Sequence, residues 1–424
     1  LLTLIDVDII AERRELLLLF CTVFIALLFK WGDTQQGNRS WLNFSFLPFS
    51  IQPAELCKIP FILILAKIMS VKQNKLSAPT TILQIGGVTI FLFVLIIAAS
   101  EDLGVALQYI FIFVIMAFVG GVNFVWFLGA LGALAAAAPT IWTHLSDDRR
   151  NRILVLFDAS IDPDAQNERY QVNRSIRALQ NGGIRGQGLY NGTMVQSSSL
   201  PMQRNDFIFS AIGEECGLLG GAAVLLLFML FAVRGLTTAA RAKSDLAAFS
   251  ATGLTAAISF QAFLIVGGVT RLIPLTGVTL PFMSQGGSSL LASFIIVALL
   301  MRAGDEATGR ETELTGTGIM TALGADATPA RGGSPALSSV GTRIFGGRSA
   351  TGKPLGGSGS IGGSHARPGS RMRRRLLDTP ESGVLGRVAL AKRLTRTVFF
   401  FTALFAVLIG NLTYIQVIMA DTYK

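Results

Sequence analysis

Long apolar runs separated by short polar segments fill most of the chain between residues 16 and 301. A helix that crosses a bilayer needs roughly 20 predominantly apolar residues. The pattern therefore predicts an all-α polytopic membrane protein whose helices pack side by side. The predicted spans are 16–31, 54–69, 81–99, 104–120, 124–142, 207–233, 246–273, 287–301 and 398–418.

Lys and Arg residues fall in every second connection between these spans, and basic residues concentrate in cytoplasmic loops. This bias orients the chain. The predicted cytoplasmic connections contain Arg13 and Arg14, Lys72 and Lys75, Arg234 to Lys243, and the tail after Arg302. The loop 32–52, the polar segment 143–206 and the turn 271–281 are then predicted to face outside.

The polar segment 143–206 is a charged, glycine-rich island between two spans. Loops carried by a rigid scaffold are where function concentrates, so chemistry or recognition at the membrane surface is expected there. The run from Gly182 to Gly192 superficially has the spacing of a nucleotide-binding loop, but no strand–loop–helix pattern surrounds it. Its glycines are expected instead to make turns or to let the backbone approach another group closely.

The chain changes character after residue 303. The stretch 304–386 is rich in Gly, Ser, Thr and Ala and predicts a flexible cytoplasmic linker. A basic flank and one apolar span follow within 387–424, oriented from the cytoplasm outward. The sequence opens on an apolar stretch without Met and stops shortly after the last span. We therefore expect both ends to lie inside a longer protein, with an extracytoplasmic domain beyond residue 424.

Hydrophobic residues make up 51% of the chain and charged residues 15%, which excludes an ordinary soluble domain. The net charge of +10 fits basic loops beside anionic lipid headgroups, so no nucleic-acid partner is expected. Cys21, Cys57 and Cys216 lack metal-ligand spacing and are interpreted as small buried hydrophobes. His144 and His365 are isolated and indicate neither a catalytic nor a metal site.

Ionisable residues inside spans or at their ends are costly, and they are functional candidates by default. Glu55 and Lys58 stand one helical turn apart, so they can form an intrahelical ion pair. Such a pair is either functional or a self-neutralising helix start. Glu101 and Asp102 open a span, where helix capping alone could explain Asp102 and a functional role for the pair is the alternative.

Asp206 stands immediately before the span 207–233 and could be an ordinary N-cap. It also lies at the end of the polar segment, near the plane of the lipid headgroups, where it could take a proton from a hydroxyl of a lipid-borne substrate. Glu214 and Glu215 lie two turns further into the span. Without an adjacent cation they predict partners on other helices, with Arg271 or Lys58 as candidates.

The order of these groups resembles the SEDS family of cell elongation, division and sporulation proteins, the RodA, FtsW and SpoVE type. The resemblance covers about residues 1–302. The matching positions are Trp41 and Leu42; Gln52, Pro53, Glu55 and Lys58; Glu101 to Gly104; Tyr170, Gln171, Ser175 and Ala178; Gly182, Gly183, Gly186, Gly188 and Gly192; Leu200 and Pro201; Asp206 to Phe209; Glu214 and Glu215; Ile273 to Gly277; and Leu280 to Leu290. The chain departs from the family pattern at three places. It lacks the proline that usually precedes the aspartate at position 102. It has Arg204 and Asn205 before Asp206, and Gln285 in place of tyrosine.

The resemblance implies a ten-helix fold, of which the first helix and most of the second are absent here, and a peptidoglycan glycosyltransferase that polymerises lipid II. It places the activity at the outer face of the bacterial cytoplasmic membrane. It implies that the catalytic residue is Asp206, which deprotonates the 4-hydroxyl of the acceptor sugar. The residues implied to bind substrate or support the site are Glu55, Lys58, Glu101, Asp102, Gln171, Ser175, Gly186, Gly188, Pro201, Arg204, Glu214, Glu215, Arg271 and Ser288.

The undecaprenyl pyrophosphate that leaves in such a reaction needs positive charge, which Arg185, Arg204 or Arg271 could supply. A divalent cation, Mg or Mn, is the other expected source.

Residues 387–424 resemble the membrane anchor of a class B penicillin-binding protein, a type of transpeptidase that works with SEDS polymerases. The resemblance implies a natural or engineered fusion, with lipid II, undecaprenyl-linked glycan, the bilayer and the transpeptidase as partners. A lipid II flippase or other transporter, or a non-catalytic scaffold for cell-wall enzymes, is the alternative. A role in elongation and a role in division both stay open.

Overall fold

The computed structural model describes residues 7–35, 38–44, 50–144, 150, 154, 168–200, 203–308 and 381–419. Most of the predicted linker 304–386, and residues 145–149, 151–153 and 155–167 of the polar segment, lie outside this set. The chain divides into one unit formed by Leu1–Glu311 with Arg387–Lys424 and a second unit, Thr312–Gly386. All contacts described below lie within the first unit.

Helices joined mostly by short connections make up the described residues. The α-helices are α1 (Val7–Glu12), α2 (Arg14–Ala26), α3 (Leu28–Trp31), α4 (Pro53–Val71), α5 (Pro79–Ser100), α6 (Leu103–Gly120), α7 (Phe124–His144), α8 (Glu168–Gly182), α9 (Thr193–Gln196), α10 (Ile208–Arg241), α11 (Asp245–Val269), α12 (Gly287–Thr308) and α13 (Glu381–Thr413). A π-helical turn, Tyr414–Ile418, continues α13. The predicted all-α fold class is confirmed. Its small exception is an antiparallel hairpin of β1 (Gly32–Gln35) and β2 (Asn38–Leu42), in which Gly32 pairs with Leu42.

Among the described helices, six are long and apolar enough to cross a membrane: α5, α6, α10, α11, α12 and α13. The chain is a multi-pass membrane protein. Helix α11 is almost wholly buried and forms the centre of the bundle, whereas α5 and α13 expose large apolar side chains such as Leu83 and Phe399. Cys21 and Cys57 are buried as predicted, and Cys216 is half-buried.

The connections between the described spans lie at two ends of the bundle. One of them, here called the Asp206 end, carries residues 101–102, 203–207, 270–286 and 414–419. There the Asn411 side chain donates to Thr270 O (3.1 Å). At the opposite end the Arg393 guanidinium donates to Gly120 O (3.0 Å).

The predicted span 246–273 is too long, because α11 ends at Val269. Arg271 has a φ of 59°, and the N–H groups of Leu272 and Ile273 both turn back to Gly267 O (2.8 and 3.2 Å). The left-handed conformation of Arg271 ends the helical path, and Pro274 prevents its return, because a proline disfavours the α conformation of the residue before it. The residues 270–286 form an irregular loop, here called the 270–286 loop.

Helix α10 is broken at Gly217, whose φ of 66° and ψ of −165° are not helical. The helical bonds beyond this residue are replaced by bonds to residues 183–188, here called the capping loop. The four bonds across the break run from Leu218 N to Gly183 O (2.9 Å), Leu219 N to Ile184 O (3.4 Å), Gln187 N to Glu214 O (3.0 Å) and Gly188 N to Glu215 O (2.9 Å). The capping loop therefore supplies the partners that a helix break would otherwise leave unsatisfied.

The expectation that the glycines of this run make turns and close approaches is confirmed. Gly186 and Gly188 have φ values of 79° and 97°, which favour glycine. A Cβ on Gly186 would collide with Glu215 O, and a Cβ on Gly217 would collide with Gly186 N. The run from Gly182 to Gly192 thus packs backbone on backbone and is not arranged as a nucleotide-binding loop.

Gly217→Ala is expected to destabilise the protein by about 1–3 kcal/mol, because the positive φ is strained for alanine and the new Cβ meets the capping loop. Thermal unfolding of the purified chain in detergent measures the effect. Gly87→Ala is the matched control, because a Cβ on Gly87 in α5 has nothing within 4 Å and alanine is the better helix former. An unfolding temperature of Gly217→Ala equal to that of Gly87→Ala would contradict the assigned break.

Candidate active site

Asp206 lies in a tight turn, 203–207, that leads directly into α10. It is 8% exposed, and the N-cap position of α10 belongs to Phe207 rather than to Asp206. A Cβ on Gly277 would lie 3.8 Å from Asp206 Oδ2, so the carboxylate faces the 270–286 loop. The structure thus gives the N-cap position to the residue after Asp206, whose carboxylate is turned toward a second segment of the chain.

The 270–286 loop is bonded to the turn that carries Asp206. Ser284 Oγ donates to Asn205 O (2.7 Å), and Gln285 N donates to Arg204 O (2.8 Å). Two hydrogen bonds to consecutive carbonyls fix the turn against the loop. These bonds fix the position of Asp206 relative to the loop.

The same loop packs against the start of α6. A Cβ on Gly104 would lie 2.7 Å from Thr276 O and 2.8 Å from Val278 Cγ2, so only glycine allows this approach. Gly104 follows the Glu101–Asp102 pair by two residues. The loop therefore connects the surroundings of Asp206 with those of the acidic pair, although the two segments are about 100 residues apart in sequence.

The two carboxylates of the pair have different roles. Asp102 is the N-cap of α6: its Oδ1 accepts from Val105 N (3.0 Å) and its Oδ2 from Gln52 Nε2 (3.2 Å). Burial raises the pKa of Asp102, which lies between two spans, to about 6, against the opposing effect of the Val105 N–H. Glu101 is exposed and ends α5 with a φ of 58°. Capping accounts for the position of Asp102, and a functional role for the pair stays a prediction.

Lys58 is the centre of a buried polar network, and its Nζ donates three hydrogen bonds. The acceptors are Glu55 Oε2 (2.8 Å), Gln108 Oε1 (2.7 Å) and Gln261 Oε1 (2.8 Å), on α4, α6 and α11. The predicted intrahelical ion pair is confirmed. An ammonium group has three N–H donors, so the Lys58 side chain is fully used within the bundle.

Gln261 extends this network to the 270–286 loop. Its Nε2 donates to Thr279 O (3.0 Å) and to Ser289 Oγ (3.2 Å), while Thr279 Oγ1 donates to Ser289 Oγ (2.7 Å). Sequence reasoning missed Gln108, Gln261 and Thr279. Glutamines inside apolar spans are a usable signal, because a polar group in a membrane span requires a partner.

Glu214 is fully buried and holds the polar segment onto α10. Its carboxylate accepts from four donors: Met194 N (2.9 Å), Val195 N (3.1 Å), Thr193 Oγ1 (3.1 Å) and Asn181 Nδ2 (3.3 Å). The prediction that Arg271 or Lys58 pairs with Glu214 is wrong. Two of the four donors are backbone N–H groups at the start of α9, where a negative charge is favoured, and the other two are side chains. Glu215 is half-buried, and its carbonyl closes the α10 break.

The other predicted residues lie near the same end or outside the described set. Ser175 Oγ is buried and bonds Val269 O (2.8 Å) and Ser210 Oγ (2.6 Å), which fastens α8 to α10 and α11. Gln171 and Arg271 are half-buried, whereas Arg185 and Arg204 are exposed. Ser288 is fully buried, and its Oγ has no hydrogen-bond partner among the described residues. Pro201 lies outside the described residues.

The predicted divalent cation needs a cluster of ligating side chains to hold it. Within the described part of the chain, no group of three or more His, Cys, Asp or Glu residues is arranged to hold a metal ion. These residues do not build a metal site by themselves, and no chemical step is assigned to a metal. The cation stays a prediction from the resemblance.

The chain was compared with known proteins. The family model for cell cycle proteins of the FtsW, RodA and SpoVE type matches residues 1–309. The chain is 35% identical over 286 residues to a peptidoglycan glycosyltransferase RodA of Mycobacterium bovis, a match that covers 63% of this chain and 58% of the relative. It thus spans less than two thirds of the length of that relative. It is 31% identical over 278 residues to the peptidoglycan glycosyltransferase MrdB of Escherichia coli K12, covering 65% of this chain and 73% of MrdB.

Two solved structures have a similar fold. One is a chain from a structure that shows how a peptidoglycan synthase complex coordinates polymerization and crosslinking. Its TM-score is 0.60 and its sequence identity is 26%, with coverage of 72% of this chain and 84% of the other. The second is a mutant of the rod shape determining protein RodA of Thermus thermophilus, with a TM-score of 0.50, 23% identity and coverage of 72% and 83%. This second likeness concerns the fold alone. The family match covers well over half of the chain, and the chain belongs to the FtsW, RodA and SpoVE family of cell cycle proteins.

Proposed function

We propose that the chain is a peptidoglycan glycosyltransferase that polymerises lipid II into glycan strands at the outer face of the bacterial cytoplasmic membrane. The observation that carries this proposal is the Asp206 carboxylate, held between the turn 203–207 and the 270–286 loop at one end of a membrane bundle. A carboxylate so placed can meet a substrate whose lipid tail stays in the bilayer. The curated relatives that bear the name of this activity support the assignment.

In the proposed reaction, Asp206 takes the proton from the 4-hydroxyl of the acceptor sugar. The hydroxyl oxygen attacks the anomeric carbon of the donor sugar and forms the new glycosidic bond. The bond from that carbon to the pyrophosphate oxygen breaks, and undecaprenyl pyrophosphate leaves with the electron pair. The hydrogen bonds from Ser284 Oγ and Gln285 N to the turn that carries Asp206 serve to orient the base before the reaction.

The pyrophosphate that leaves carries developing negative charge, which a nearby cation stabilises. Lys58 is unsuited to this task, because it is 1% exposed and all three of its N–H groups are bonded inside the bundle. Arg204 lies in the same turn as Asp206, and Arg271 lies in the facing loop. We propose Arg204 and Arg271 as the candidates for the leaving group.

A flippase and a scaffold are the alternatives. A transporter moves its cargo past groups near the bilayer midplane, which must be free to exchange partners. The buried charges Glu55 and Lys58 are instead bonded to each other and to amides on two further helices. This arrangement is that of a fixed structural core and favours a site at the Asp206 end.

The purified chain is expected to convert fluorescent lipid II in detergent into a ladder of glycan strands that muramidase digests. The same protein in vesicles reports any movement of labelled lipid II between leaflets. A ladder identifies a polymerase, movement without a ladder identifies a flippase, and neither identifies a scaffold. The last two outcomes would overturn the proposed function.

We further propose that α13 is the membrane anchor of a class B penicillin-binding protein, so that polymerisation and crosslinking are linked through one chain. The helix packs along the bundle through Phe401, Phe405, Leu408, Leu412 and Ile415, whose spacing of three and four residues forms one buried stripe. The similar chain from a peptidoglycan synthase complex supports a partnership of this kind.

A further inference from the structure

The π-helical turn after α13 places a polar side chain deep in the bundle at the Asp206 end. Gln416 is 1% exposed, and its Nε2 donates to two carbonyls, Leu179 O (3.0 Å) and Gly213 O (2.9 Å). The wider turn from Tyr414 to Ile418 lets a residue of a membrane helix reach two other elements at once.

Both carbonyls lie where a helix is interrupted. Leu179 O belongs to the last turn of α8, where Gly183 N donates to Gln180 O (3.1 Å). Gly213 O belongs to the last turn of α10 before the break at Gly217. The next two carbonyls of α10 are taken by the capping loop, as described above. Gln416 therefore completes the set of groups that bond the end of this short helical segment.

The amide orientation of Gln416 is determined by these partners, because turning it over would place Oε1 against two carbonyl oxygens. In the orientation present, Oε1 is buried and has no hydrogen-bond partner among the described residues. An unsatisfied buried acceptor is costly, and the apolar stripe of α13 already packs the helix against the bundle. A polar residue retained at such a cost in a membrane helix indicates a specific role.

Two neighbouring contacts tie the same end of the C-terminal helix to the site. Gln180 Nε2 donates to Met419 O (3.3 Å), and Asn411 Nδ2 donates to Thr270 O (3.1 Å), at the start of the 270–286 loop. The C-terminal helix is thus bonded to α8, to α10 and to the end of α11. Gln416 is the member of this group that contacts the segment beginning at Asp206.

We infer that Gln416 is a positioning residue: by bonding Leu179 O and Gly213 O together it holds the segment 208–216, and with it Asp206, in a fixed place. The consequence of this restraint for catalysis rests on the proposed function of Asp206. The C-terminal helix is in this way a structural part of the polymerase site, and its displacement loosens the segment that carries the base.

Gln416→Leu removes the two hydrogen bonds of the side-chain amide with little change in size. Thr413→Val is the control near the end of the same helix, because Thr413 Oγ1 bonds only Ile409 O of its own helix. In Gln416→Leu, hydrogen exchange at the amides of Gln187, Gly188, Leu218 and Leu219 is expected to be about tenfold faster, because these bonds close the α10 break. With labelled lipid II, kcat is expected to fall about ten- to a hundredfold with KM within about twofold. Thr413→Val is expected to match the wild type in both measurements.

Unchanged exchange at these four amides in Gln416→Leu would overturn the inference. Faster exchange with an unchanged kcat would also overturn it, because the contact would then be structural only. A loss through KM alone would point to substrate binding and would contradict positioning of the base. If the wild-type chain makes no glycan, the proposed function fails, and the exchange measurement still decides whether Gln416 holds the segment.

Discussion

Asp206→Asn is expected to reduce lipid II polymerisation by about 10²–10⁴-fold, because an amide cannot accept the proton of the acceptor hydroxyl. The substitution keeps the size of the side chain, and the turn 203–207 is fixed mainly by the backbone acceptors Arg204 O and Asn205 O. The variant should therefore fold. Initial rates of glycan formation and the thermal unfolding temperature, measured on the same preparation, test both expectations.

Asp33→Asn makes the same chemical change in β1, in the loop 32–52. Asp33 Oδ2 accepts from Asn43 Nδ2 (2.6 Å), so this carboxylate has a local structural partner. Its substitution is expected to leave the polymerisation rate within about twofold, since it lies outside the proposed chemistry. Glycan synthesis by Asp206→Asn at the rate of Asp33→Asn would contradict the role of Asp206 as general base.

Features that depend only on residue type and local spacing could be predicted from the sequence. Apolar runs predicted the six spans α5, α6, α10, α11, α12 and α13, because only helices satisfy every backbone group in a bilayer without neighbours. The i, i+3 spacing predicted the Glu55–Lys58 pair, because both partners belong to one helix and no tertiary information was needed. Asp206 could be singled out by its place at the end of a polar segment.

The residues that contact each other across different helices and loops could not be predicted from the sequence. The donors to Glu214 include backbone N–H groups of Met194 and Val195, which every residue except proline possesses and which leave no mark in the sequence. The break at Gly217 is equally hidden, because the glycine run of the capping loop that completes it lies some 30 residues earlier. A glycine inside an apolar run is compatible with an unbroken helix, and only its partner in space distinguishes the two.

The site also depends on the long-range packing of the 270–286 loop. Gly104 allows this loop to approach the start of α6 near Asp102, and Gly277, with a φ of 63°, lies in the part of the loop beside Asp206. Sequence reasoning identified both acidic segments but had no means to place them on the same loop. That common contact is why the two motifs, separated along the chain, contribute to one end of the bundle.

Lys58→Met is expected to destabilise the protein by about 3–5 kcal/mol, because it leaves the Glu55 carboxylate buried without its cation. Gln108 and Gln261 each lose a donor in the same variant, so the hydrogen bonds from Lys58 on α4 to α6 and α11 are lost. Unfolding of the purified protein in detergent, followed by temperature or denaturant, measures the loss. Lys67→Met is the control on the same helix, because Lys67 pairs at 4.0 Å with the largely exposed Glu12. Such a pair is worth about 0–1 kcal/mol.

Adding Glu55→Gln to Lys58→Met should restore part of the lost stability, because the double variant contains no unpaired buried charge. The recovery is expected to be incomplete, since the amide oxygens of Gln108 and Gln261 still lack the donor that Lys58 provided. A double variant as unstable as Lys58→Met would show that the amide contacts, rather than the ion pair, stabilise the bundle. A Lys58→Met variant as stable as Lys67→Met would contradict the structural role of Lys58.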